Sequence, residues 1–88
     1  MKQEQIYQEL KNVSEKLGVT VVEKSFKNAG MNVKSGFCKV KNEKIFIIDK
    51  NKKLAKKVKI IASFLSTLKH EDIYLIPIIR ETIEKYKD

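Results

Sequence analysis

Apolar residues first recur along the chain at Ile6, Leu10, Val13 and Leu17, spaced four, three and four apart. That spacing lays one stripe down a helix and predicts helix over residues 3–17. Glu4 and Glu9 fall toward its positive end and Lys16 toward its negative end, which suits the helix dipole. Gly18 follows at once and is able to take the left-handed conformation that stops a helix. From Val19 the pattern switches to a period of two. Val19 and Val21 point one way, and Thr20, Val22, Lys24 and Phe26 the other, as in a strand ending near Phe26.

Residues 27–36 read as a loop bracketed by Gly30 and Gly36, long for so short a chain. Phe37 to Val40 and Lys44 to Ile48 are two short strands, with Asn42 and Glu43 in the hairpin turn between them. The second is apolar on both faces, because Phe46 and Ile48 alternate with Ile45 and Ile47. Such a strand is expected at the centre of its sheet and covered on both sides, by two helix layers or by one helix layer and a partner subunit. Leu54, Val58, Ile61, Leu65 and Leu68 then restore helical spacing and predict a helix over residues 52–68, with Ile60 and Phe64 widening its apolar face. Pro77 is a favoured first helical residue. Ile79, Ile83 and Tyr86 mark a last helix, with Arg80–Glu84 and Glu81–Lys85 one turn apart. The order α-β-β-β-α-α predicts one α+β domain over residues 1–88. Its three-stranded, mostly antiparallel sheet is packed by the first two helices, and the third closes a sheet edge.

Composition narrows the function classes. With 42% hydrophobic residues the chain is not expected to be disordered, although 34% of it is charged. No uninterrupted apolar run approaches the ~18 residues of a membrane span, and the opening Met1-Lys2-Gln3-Glu4-Gln5 is too polar for a signal-peptide core. A single cysteine, Cys38, leaves no internal disulfide framework and no cysteine-rich zinc site. A cytoplasmic protein that does not bind membranes is expected. Cys38 lies mid-strand, where a small buried hydrophobe is the usual role, and the sole histidine, His70, suits a helix C-terminus better than a catalytic dyad. One His and one Cys fall short of a metal ligand set. Gly18, Gly30 and Gly36 are too scattered for a phosphate loop, and Asp49, Glu71 and Asp72 read as turn or cap residues. No catalytic residue, metal or cofactor is expected.

The net charge of +8 is unevenly distributed. Residues 1–23 and residues 60–88 each carry one more carboxylate than cation, whereas residues 24–59 hold twelve lysines against Glu43 and Asp49. Lys39, Lys41, Lys44, Lys52, Lys53, Lys56 and Lys57 form a candidate surface for an anion or nucleic acid. Lysines in the first turns of the second helix oppose its dipole, an arrangement that an incoming anion makes intelligible. Against this, eighteen of the nineteen basic residues are lysine, while nucleic-acid readers lean on arginine and on stacking aromatics. Only Phe26, Phe37 and Phe46 lie in the basic segment. The single arginine, Arg80, is a candidate for an ordinary ion pair with Glu84 or Asp72, or for recognition of a carboxylate or phosphate beside Tyr74.

Leu17-Gly18-Val19-Thr20-Val21, Ser35-Gly36-Phe37-Cys38-Lys39-Val40, Ile45-Phe46-Ile47-Ile48-Asp49 and Ile73-Tyr74-Leu75-Ile76-Pro77, with Arg80-Glu81, make the chain resemble a family of small bacterial proteins of no known activity. The helix–three-strand–helix order is also loosely similar to the minimal core of the zincin-like metallopeptidases. The helix after the third strand carries His-Glu-x-x-His in that group. Here the stretch is Ile60-Ile61-Ala62-Ser63-Phe64, so the likeness implies at most the fold and not the activity. The expectation is a non-enzymatic binding or interaction module that self-associates or takes a protein partner. A nucleic-acid or anion binder is the alternative.

Overall fold

The computed structural model describes residues 1–25, 36–70 and 72–87. The first apolar stripe becomes α1, Gln3–Lys16, whose Tyr7, Leu10, Val13 and Ser14 are buried. Gln5 Oε1 accepts the Lys2 N–H at 3.0 Å at its start. At its end the chain reverses through Leu17 and Gly18, which stands at φ +85°, a conformation that costs other residues a clash with their own Cβ. The Ser14 hydroxyl donates to the Val19 carbonyl at 3.0 Å, pinning the helix to the strand it feeds. That strand, β1, runs Val19–Lys24, short of Phe26, which lies outside the described residues.

The hairpin is formed by β2, Gly36–Val40, and β3, Glu43–Asp49. Its two-residue turn is Lys41–Asn42, one position earlier than the spacing predicts, and both residues have positive φ. Such a turn matches the right-handed twist of its strands, and Glu43 is thereby released to begin β3. The expected 27–36 loop lies outside the described residues except for Gly36, which opens β2.

Strand order in the sheet is β1-β3-β2. β3 sits at the centre, as its two apolar faces require, antiparallel to β2 and parallel to β1. The sheet is therefore mixed rather than mostly antiparallel. The physical reason lies in the sequence of the edges: Glu23, Lys24 and Lys39 suit β1 and β2 to outer positions, so the chain brings β3 back between them. Register places Val19, Val21 and Glu23 on one face with Phe46, Ile48 and Phe37. Thr20, Val22, Ile45, Ile47 and Cys38 share the other.

α2, Leu54–Ser66, lies inside the bounds the periodicity predicts and buries Val58, Ile61, Ala62 and Leu65. Its Phe64 ring stacks on Phe46 at 4.0 Å between centroids, and Phe37 joins at 5.6 Å. Those rings carry α2 across the sheet. α3, Pro77–Lys85, begins at the proline and buries Ile79, Thr82 and Ile83. It packs against α1 and α2, not as the expected cover for a sheet edge. Its buried isoleucines complete a core that already holds Leu10, Ile61, Leu65 and Leu75. No helix among the described residues is long and apolar enough to cross a membrane.

Candidate functional site

The directions of the elements decide where the lysines fall. Tyr7 and Lys11 of α1 lie beside Lys57 of α2 and near Glu23 at the end of β1, while Ser14 reaches Val19 at its start. α1 therefore runs antiparallel to β1. α2 likewise runs back along β3, because Lys57 meets Glu23, paired with Ile48, and Phe64 lies over Phe46. Both helices thus start at the end of the molecule where the parallel strands β1 and β3 finish.

That geometry divides the seven predicted lysines. Lys39, Lys41 and Lys44 gather at the hairpin end, with Lys39 paired to Lys44 across the ladder, and all three are exposed. Lys52, Lys53, Lys56 and Lys57 lie at the opposite end, where β3 passes into α2. The six residues from Lys44 to Asp49 separate the groups by roughly 17 Å of extended strand. They do not form one compact site.

Lys57 leaves the exposed set altogether. Its ammonium is half-buried in an ion pair with the Glu23 carboxylate. It also lies 5.9 Å from the centre of the Tyr7 ring, with Lys11 at 4.8 Å. The Lys57 hydrogen bond holds the Glu23 carboxyl below its ordinary value, more strongly than partial burial raises it, with further help from the charge on Lys57. Tyr7 is pushed the other way, by burial first and then by the negative charge of Glu23. Its hydroxyl is buried with no partner in good hydrogen-bonding geometry, although Glu23 is near enough to raise it. Spacing along α1 alone does not single out this cluster.

The lysine end gains members that the prediction did not include. Lys24 finishes β1 opposite Asp49, and the Lys50 N–H donates to the Lys24 carbonyl at 3.0 Å. Asp49 Oδ1 accepts the Asn51 N–H at 3.0 Å, so Asp49 is a turn residue as its sequence position suggests. Asn51 Nδ2 donates to Ser25 Oγ at 3.0 Å, and the Lys52 N–H donates to the Asp49 carbonyl at 3.2 Å. These four bonds fix the β3–α2 turn against the end of β1. α2 itself has Lys53 at its N-cap, no side-chain cap and no acidic residue in its first turn.

The remaining candidates disperse. Arg80 is exposed on α3 and, among the described residues, no carboxylate closes on it; neither Glu84 nor Asp72 forms the expected pair. Tyr74 is 77% exposed in the segment before α3, and among the described residues neither a hydrogen bond nor a ring contact joins it to Arg80. Cys38 is half-buried on the sheet face away from the helices, not in the core. His70 lies past the end of α2, its Nδ1 2.9 Å from the Leu68 carbonyl. Phe37 is 48% exposed, but its ring already stacks on Phe64. Among the described residues no three His, Cys, Asp or Glu side chains converge as metal ligands would.

One further surface comes from the sheet. No described helix covers the face bearing Val22, Ile45, Ile47 and Cys38, and β3, expected to be covered on both sides, has its helix layer on one. Comparison with protein-family models, curated proteins and solved structures finds no match to this chain.

Proposed function

We propose that the chain is a non-enzymatic interaction module that pairs with a second copy of itself through the open face of its sheet. The observation that carries this reading is the central strand. β3 presents Ile45 and Ile47, flanked by Val22 and Cys38, on a face with no described helix above it. An apolar central strand gains by being covered there.

The rim of the face favours a second copy over an unrelated partner. Lys24 lies at the Asp49 end of the face and Glu43 at the opposite end of β3. A two-fold that lays β3 antiparallel over its counterpart brings each Lys24 end above the other copy's Glu43 end. Asp49 is already engaged by the Asn51 N–H. Three strands about 4.8 Å apart and about 17 Å long offer a footprint of roughly 250 Å². A standard interface takes about 800 Å² per partner, so the face supplies about a third of one and the dimer is weak. Sedimentation at tens of micromolar tests this. A dimer is expected for the native chain, and a folded monomer for the Ile45→Thr/Ile47→Thr variant, which keeps β-branching while removing apolar surface. A native chain that sediments as a monomer overturns the reading.

A further inference from the structure

We propose that the turn between β3 and α2, together with the end of β1, is a docking surface for the phosphate backbone of double-stranded nucleic acid. Lys50, Lys52, Lys53 and Lys56 are all exposed there, and none forms an ion pair among the described residues; Lys24 stands across the ladder from Asp49. Of the carboxylates here, Glu23 is ion-paired with Lys57, and Asp49 accepts the Asn51 N–H while keeping its charge. The turn and the start of α2 therefore carry four lysines against Asp49, a clear excess of positive charge. The hairpin end carries three lysines, Lys39, Lys41 and Lys44, against Glu43.

The backbone that carries the four lysines is also held in place. Lys50 is tied to Lys24 through the backbone, Asn51 to Ser25 through side chains, and Lys52 to Asp49. Lys53 and Lys56 are set by the start of α2, where the Lys57 N–H donates to the Lys53 carbonyl at 3.0 Å. A surface whose backbone is already ordered loses less freedom on binding than a basic tail does.

Its chemistry selects among anionic partners. Lysine engages phosphate as a point charge, whereas base edges are read by planar or bidentate groups. Among the described residues at this end no arginine and no exposed aromatic ring stands, so they suit backbone phosphate rather than base edges or stacked bases. The turn carries no exposed large apolar side chain to insert into a lipid surface. A duplex supplies closely and regularly spaced phosphates, which suits a fixed cluster of ammoniums.

The test is fluorescence anisotropy of a short random-sequence DNA duplex across a salt series. Four phosphate contacts give a slope of log affinity against log salt of about −3.6. In the Lys50→Gln/Lys52→Gln/Lys53→Gln/Lys56→Gln variant the slope is expected to shrink by about 3 to 4, with the fold checked by circular dichroism. The Lys39→Gln/Lys41→Gln/Lys44→Gln variant is expected to bind as the native chain does. No binding at low salt, or an equal loss in the hairpin variant, overturns the proposal. Equally tight binding of polyglutamate, of phosphatidylserine vesicles or of a single strand also overturns it, because each would mean a partner other than duplex nucleic acid.

Discussion

Glu23 shows how a single position couples strand alternation to charge. It shares a face with Val19 of the core and the half-buried Val21, so a carboxylate there needs a cation from the helix layer, and Lys57 supplies it. The requirement was legible in the alternation, but the identity of the cation was not, because Lys57 reads as one of a run of solvated lysines. Its place one turn before Ile61, on the apolar side of α2, was the available signal. Because the folded carboxyl titrates below its ordinary value of 4.5, the stability it contributes is present above that pH and lost as pH falls through the folded value. Thermal melts from pH 6 down to pH 2 should therefore show an acid-dependent decline that is reduced in Glu23→Gln. Tyr7 is the opposite case. Above the unfolded value of 10.0 its phenol ionises in the unfolded chain before the folded one, so stability falls as pH rises. Tyr7→Phe should reduce that alkaline loss and leave the protein as stable or up to about 1 kcal/mol more stable at neutral pH, since it removes a buried hydroxyl without a good partner. Gly18→Ala should cost about 1–2 kcal/mol in denaturant unfolding, because alanine is strained at φ +85°.

Element by element, periodicity located the helices and strands because their apolar residues are the ones buried. Leu10, Val13, Val58, Ile61, Leu65, Ile79 and Ile83 were all visible as stripes and all lie in the core. Spacing did not carry the pairing of elements. The parallel β1–β3 contact depends on where the chain returns, and the seat of α3 depends on the groove between α1 and α2. The hairpin turn moved by one residue because Lys41 and Asn42, rather than Asn42 and Glu43, take the positive φ that a two-residue turn needs. Replacing them, Lys41→Asn with Asn42→Gly, should stabilise the protein by about 0.5–1 kcal/mol by relieving that strain. Phe64 is the main link between α2 and the sheet, since its ring lies on Phe46 and meets Phe37. Phe64→Ala should cost about 3 kcal/mol and lower the melting temperature accordingly. Arg80→Gln should change stability by less than about 0.5 kcal/mol, because the guanidinium is exposed and no carboxylate meets it among the described residues.

For the whole molecule, the fold sorts the charge and leaves one sheet face with no described helix above it. The lysine excess of residues 24–59 looked like one surface in the sequence, but β3 carries its two ends apart, and Glu23 takes Lys57 out of it. The separation was not legible because lysines adjacent in the chain lie on opposite ends of a strand. The apolar second face of β3 was legible, since Ile45 and Ile47 alternate with Phe46 and Ile48. What covers that face is the central claim, and sedimentation velocity at tens of micromolar tests it most directly. The native chain should sediment as a dimer, and Ile45→Thr/Ile47→Thr as a folded monomer. A native chain that stays monomeric, or a double variant that dimerises as strongly as the native chain, would contradict the account.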